Sequence, residues 1–185
     1  MEVQVNRLDA WLLLTKYVKN KNLRKHCLAC EAALEDLAPE FGEEPETWGL
    51  AGLLHDLDVE LTKQNPEKHA IVAVEILGQE GFDKDFTNAI LAHCNKAERK
   101  SNLDRALYAV DPTTGLIVAS ALMHPEKSLK AVDLIFLKKR FKEKRFAAGA
   151  DRRQISSCID LGFGLDEFLS RTLASMQRIS GDLEL

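Results

Sequence analysis

Apolar residues recur three and four positions apart along nearly the whole chain, the spacing that lines one face of a helix. No run alternates with the period of two that a half-buried strand shows, so the pattern predicts an all-α fold. A first helix is expected from Arg7 to Lys19, with Leu8, Trp11, Leu12 and Tyr17 or Val18 as its packing stripe. A second is expected from an N-cap at Asn22, placing Leu23, Cys27, Cys30, Leu34 and Leu37 on a shared face beside His26, with Pro39 ending it. Pro45 opens a third, which carries Trp48, Leu50, Leu53 and Leu54 and delivers His55-Asp56 at its C-terminal end.

The fourth helix is expected to start at Asn65-Pro66, hold His69 in its first turns and close at Gly78. The fifth runs from a cap at Asp83 through Phe86, Ile90 and Leu91 to His93, and the sixth from Ser101 or Asn102 to Asp111. Pro112 then demands a kink or a fresh start, because proline lacks the donor that the preceding turn needs. Helices over Pro112 to Met123, Ser128 to about Lys144, Asp151 to Leu161 and Leu165 to Ile179 complete the reading. With no repeat, linker or low-complexity segment, the 185 residues read as a single domain, residues 1–185.

Composition narrows the class without naming a chemistry. A hydrophobic share of 45%, with no apolar run long enough for a bilayer, predicts a soluble chain without a membrane partner. A leader of the secretory type is absent from the N-terminal pattern, so the expected compartment is the cytoplasm. Four cysteines are too few for a disulfide framework at this length, and Cys27 and Cys30 read as small buried hydrophobes. A net charge of -4 argues against dedicated nucleic-acid binding, so an anionic substrate must be held locally.

Against this helical background, four of the five histidines stand near expected helix ends and two aspartates accompany them at wide intervals. Imidazole and carboxylate donors together suit divalent ions such as iron, manganese, zinc, cobalt or nickel, with magnesium as a further choice. The order is an isolated His26, then His55-Asp56 within Leu53-Leu54-His55-Asp56-Leu57-Asp58, then Asp111 within Ala109-Val110-Asp111. In this order and context the chain resembles the HD superfamily of metal-dependent phosphohydrolases over about residues 22–115, with residues 116–185 expected to complete the helical bundle. Lys138 to Arg153 looks like a tail found in a group of HD hydrolases.

The resemblance implies a metal held by His26, His55, Asp56 and Asp111, with Asp56 and His55 as the catalytic pair. His69 and His93 lie where members with two metals place further ligands, which implies a dinuclear centre bridged by Asp56. His26, His55 and Asp111 then serve the first ion, and His69 and His93 the second. Two ions about 3.5 to 4 Å apart activate water and clamp a transferring phosphoryl group. The implied activity is hydrolysis of a phosphoester or phosphoanhydride in a small, anionic, nucleotide-like molecule. Symmetrical dinucleoside polyphosphate hydrolases share the additional histidines, whereas Cys94 stands where the cyclic dinucleotide branch has a second histidine. The rivals are a diiron oxygenase of HD type and a metal- or nucleotide-binding module without turnover.

Lys63 and Arg145 are the candidate phosphate-binding side chains, with Lys68 and Arg105 as competitors. The basic stretch around Arg145 reads by default as a solvated helix face, and Lys63 as an exposed loop lysine. Asp58 is expected to cap its turn, or else to orient a ligand histidine or protonate a leaving group. His124, before Pro125, matches no ligand slot.

Overall fold

The computed structural model describes residues 5–185; the first four residues of the expected domain lie outside them. Among the described residues there are ten α-helices and no strand: α1 (Arg7–Tyr17), α2 (Lys21–Leu37), α3 (Pro45–Leu54), α4 (Ile71–Gln79), α5 (Lys84–Ala92), α6 (Asn102–Met123), α7 (Leu134–Lys142), α8 (Arg152–Ser156), α9 (Leu165–Arg178) and α10 (Ser180–Leu183). The all-α reading holds. α6 runs through the middle and belongs to both apolar clusters. Its first half packs with α1 to α5 around Leu34, Leu54, Leu57, Leu77, Ile90 and Leu107. Its second half packs with α7, α8 and α9 around Leu116, Ile117, Leu137, Ile155, Leu169 and Met176.

Local chemistry explains most boundaries. Asp83 caps α5 by accepting from the Phe86 amide, and Ser101 and Asp104 form a reciprocal capping box at the start of α6. α2 starts two residues earlier than expected, because Asn20 rather than Asn22 accepts from the Asn22 and Leu23 amides. α1 turns a partly different face inward: Ala10, Leu13 and Leu14 are buried while Leu8 and Leu12 are exposed. Of the expected stripe, Val18 is buried and Trp11 and Tyr17 pack against the core, whereas Leu8 and Leu12 do not. α4 stops at Gln79, with the left-handed Gly81 (φ 90°) rather than Gly78 making the exit.

Three larger departures shape the site. The expected fourth helix is broken: a 3-10 turn over Pro66–Lys68 ends at His69, and Ala70 takes φ 65° before α4 begins. The helix expected over Ser128 to about Lys144 likewise divides into a 3-10 turn over Leu129–Ala131 and α7, capped by Asp133. Conversely, α6 passes unbroken through Pro112. Proline removes the donor that the Tyr108 carbonyl would receive, and Gln154 supplies one from α8, its Nε2 lying 2.8 Å from that oxygen. The continuous helix is long and apolar enough to cross a bilayer, contrary to the sequence expectation, but it is the core helix of the bundle.

α2 and α3 pack closely because of two glycines. A Cβ on Gly52 would stand 2.6 Å from the Cys30 carbonyl carbon, inside any van der Waals contact, and one on Gly49 would meet the Glu35 side chain. That approach brings the end of α3 against the middle of α2.

Candidate metal centre

Six side chains converge from five segments. His26 projects from α2, His55 caps the C-terminus of α3 and Asp56 follows it; His69 ends the 3-10 turn, His93 caps the C-terminus of α5, and Asp111 lies in mid α6. The four rings form an arc, with centroids 5.1 Å apart from His26 to His55, 5.1 Å from His55 to His93 and 5.2 Å from His93 to His69. Asp56 sits inside it. Its Oδ1 lies 3.6, 3.4 and 3.7 Å from the Nε2 atoms of His55, His69 and His93, and its Oδ2 lies 3.9 Å from His26 Nε2. Asp111 Oδ1 is 3.1 Å from His26 Nε2 and 3.9 Å from His55 Nε2.

Each ring uses its outer nitrogen elsewhere. His55 Nδ1 donates to the Gly52 carbonyl at 2.8 Å, and His93 Nδ1 donates to the Ile90 carbonyl. These are carbonyls near the ends of α3 and α5, which the helices themselves leave short of donors. His69 Nδ1 donates to Asp58 Oδ1 at 2.8 Å. The Thr114 hydroxyl donates to the Asp111 carbonyl, so it accepts from His26 Nδ1 at 3.1 Å. With every Nδ1–H directed outward, each ring in its neutral form turns its Nε2 lone pair to the interior.

That arrangement requires positive charge inside. The Nε2 atoms of His69 and His93 face each other at 3.2 Å, and His55 Nε2 is fully buried with no hydrogen-bond partner. Lone pairs opposed to one another and to carboxylate oxygens repel unless a proton or a cation lies between them. The donor set fits a divalent cation, with neutral imidazole nitrogens and carboxylates oriented by outer hydrogen bonds. Two helix C-termini aimed at the cluster add a favourable field for a cation.

Without a cation, protons on the raised imidazoles supply part of that charge. Burial works to raise the Asp111 pKa, but the His26 hydrogen bond and the nearby imidazoles outweigh it and hold the carboxyl well below its usual range. Asp56 is likewise lowered, burial again being overcome by His55 and His26. Burial and the neighbouring His55 depress His93 to about 4, which keeps it neutral. His69 is raised, chiefly by its hydrogen bond to Asp58. His26 is raised well above the ordinary value: burial opposes this, and Cys30 and Asp111 prevail.

Access is one-sided. His55 and His93 are buried, whereas Asp111, His26 and His69 are 28, 22 and 21% exposed in their side chains and form the open rim. Lys63 and Arg145 are exposed and form no hydrogen bond or ion pair with the cluster. Arg152 is committed elsewhere, donating to the carbonyls of Phe141, Phe146, Ala147 and Ala150 around the turn before α8. His124 lies at the exposed end of α6 against Phe136.

Several contributors had little or no sequence signal. Asp58, by contrast, takes one of its expected roles, orienting His69; it also accepts the Ala73 amide at 2.9 Å, and full burial denies it any contact with a leaving group. Thr114 lies one turn beyond Asp111, a spacing that places both on one helix face. Cys30 is buried as expected, yet its Sγ lies 3.9 Å from His26 Nε2, and it groups with His26 and His55 as a possible ligand set; Cys94 does so with His69 and His93. The acceptors on Gly52 and Ile90 are main-chain atoms, which no residue type announces.

The chain has distant curated relatives. Ribonuclease Y of Fusobacterium nucleatum is 32% identical over 78 residues, 42% of this chain and 15% of that protein. Ribonuclease Y of Nitratidesulfovibrio vulgaris strain Hildenborough is 29% identical over 96 residues, 52% of this chain and 18% of that protein. The chain thus spans less than a fifth of the length of these curated relatives. No solved structure gives a significant match. The HD domain model matches residues 23–134, more than half of the chain and the whole of the histidine and aspartate cluster, and the chain belongs to the HD domain family.

Proposed function

We propose that this HD-type, metal-dependent hydrolase cleaves a phosphoester or phosphoanhydride in a small nucleotide-like substrate. The observation that carries the reading is the shared orientation of four imidazoles, all with Nδ1–H directed outward and Nε2 directed at Asp56. His26, His55, Asp56 and Asp111 would hold one divalent ion, and His69 and His93, with Asp56 between, a second. A divalent ion there lowers the pKa of water and neutralises charge on a phosphoryl oxygen.

The protein's own share is positioning. His55 and His93 close the inner wall and exclude water, while the rim of Asp111, His26 and His69 leaves one approach for a phosphate. Asp111, kept ionised by His26, stands at that approach as an acceptor for a water hydrogen. Lys63 and Arg145 carry free cationic ends suited to an anionic substrate once it is bound. A net charge of -4 favours a small substrate over a long polyanion.

A second reading has one observation behind it: the relatives are ribonucleases, which favours a phosphodiester of RNA as the bond cleaved. One experiment separates the readings. The purified chain is assayed for bound metal, then offered a phosphomonoester, a dinucleoside polyphosphate and a short oligoribonucleotide with manganese under anaerobic conditions, with Asp56→Ala as control. Small-substrate turnover that Asp56→Ala abolishes supports the proposal, and turnover of the oligoribonucleotide alone supports the second reading. In a parallel aerobic assay with ferrous iron, consumption of dioxygen without phosphate release in either assay overturns both.

A further inference from the structure

The break between Pro66 and Ile71 puts His69 on a conformation that the local chain does not favour. Ala70, fully buried, adopts φ 65° and ψ -30°, which costs a residue with a Cβ on the order of 1 to 3 kcal/mol. Such a conformation persists only when its surroundings impose it. Two attachments do so. On the C-terminal side, Asp58 accepts from the Ala73 amide and from His69 Nδ1.

On the other side, the Lys96 ammonium donates to three carbonyls of the turn, at 3.4 Å to Pro66, 2.7 Å to Glu67 and 2.6 Å to His69. The placement of Lys96 follows from the end of α5. Asn95 takes φ 63°, and the Lys96 amide returns to the Leu91 carbonyl at 2.9 Å, the reversal that terminates a helix in a left-handed residue. Three residues after His93, the chain therefore doubles back and sends the lysine across to the His69 turn.

We propose that Lys96 is a positioning residue, a latch that fixes the His69 turn to the end of α5 and so sets the second half of the metal centre. Its three N–H donors are spent on main-chain oxygens, which excludes it from substrate binding and gives it a structural task. The His69 Nε2 to His93 Nε2 separation of 3.2 Å depends on two segments, and Lys96 is the side chain that ties one to the other. His26, His55 and Asp111 lie on helices to which the Lys96 ammonium makes no hydrogen bond, so releasing the latch loosens one half of the centre and spares the other. This inference rests on the metal reading above.

The test compares the wild type with Lys96→Met, which keeps the aliphatic stem, and with Lys96→Arg and Lys96→Gln, which keep donors. Each is loaded with manganese and desalted, and the ions retained per chain are counted. Amide exchange of His69 and Ala73 is measured separately on metal-stripped protein. Lys96→Met is expected to retain one ion where the wild type retains two, with exchange at both amides at least tenfold faster. Lys96→Arg is expected to recover both properties and Lys96→Gln part of each. Equal ion retention and exchange within twofold of wild type in Lys96→Met would overturn the latch. The exchange measurement needs no ion, so a wild type that retains none would overturn the metal reading while the latch is still judged.

Discussion

Gln154 donates its side-chain amide to the Tyr108 carbonyl at 2.8 Å, the oxygen that Pro112 leaves without an intrahelical partner. The same nitrogen lies 3.4 Å from the His93 carbonyl, so one side chain on α8 serves both α6 and the end of α5. Asp111 directly precedes Pro112, and its direction depends on α6 staying continuous there. Gln154→Leu conserves much of the volume but leaves the Tyr108 oxygen without a partner, a loss of about 1 to 3 kcal/mol. Urea unfolding is the measurement. A variant as stable as wild type would show that solvent satisfies the Tyr108 oxygen instead.

Gly52 occupies a place where only hydrogen fits. An added methyl group would meet the Cys30 carbonyl carbon at 2.6 Å and the Glu31 nitrogen at 2.7 Å, and these are backbone atoms that cannot swing aside. Gly52→Ala must separate α2 from α3, moving His26 relative to His55. Overpacking of this kind costs typically about 1 to 3 kcal/mol, and metal retention should fall with it. Gly49→Ala provides the comparison: its methyl group meets the Glu35 side chain rather than backbone, so its effect on melting temperature should be smaller. Equal effects from the two would count against this account of helix packing.

Asp58 presents one oxygen to His69 Nδ1 and the other to the Ala73 amide. Asn in its place has a single acceptor, so one of those two donors must face an NH2 group. The ring then loses the partner that fixes its tautomer, and losses of this kind lower metal affinity about 10- to 100-fold. Asp58→Asn should therefore weaken the second manganese site by that factor, as measured by calorimetry, and leave the first within about threefold. Equal weakening of both sites would mean that the two halves of the cluster are not separable.

How far the sequence carried the reading depends on the range of each interaction. Helices came through because their spacing and their caps, such as Asp83 and Ser101, act within a few residues. The passage of α6 through Pro112 did not, since it depends on Gln154, distant in sequence and brought near only by folding. The break at Ala70 was hidden too: alanine is an ordinary helix former, and it is Asp58 and Lys96 that hold it out of one. Histidines and aspartates declared themselves by type, and the structure brings all six together. Of their orienting partners only Asp58 did, because carbonyls of Gly52 and Ile90, or a hydroxyl such as Thr114, look alike everywhere in a sequence.

Burial and the facing His55 depress His93 to about 4, while an unfolded chain protonates it near 6.5. Between those values the unfolded state of the metal-stripped protein binds the extra proton. The contribution of His93 to stability is therefore present above about pH 6.5 and is lost as pH falls toward 4. His26 and His69, both raised, act in the opposite sense: their contributions are present below about 6.5 and fade as pH rises through their folded values. The lowered Asp56 and Asp111 enter only as pH falls below the ordinary carboxylate range. Glu31 and Glu35, raised by burial, also contribute between pH 6.5 and 5, so His93 is isolated by comparing a variant with wild type over that range. His93→Asn, which keeps a donor for the Ile90 carbonyl, should change the slope of unfolding free energy against pH by up to about 1.4 kcal/mol per unit, making acid less destabilising. An unchanged slope would mean that His93 carries a proton in the folded protein, and with it that the inward lone pair assigned to its Nε2 is absent.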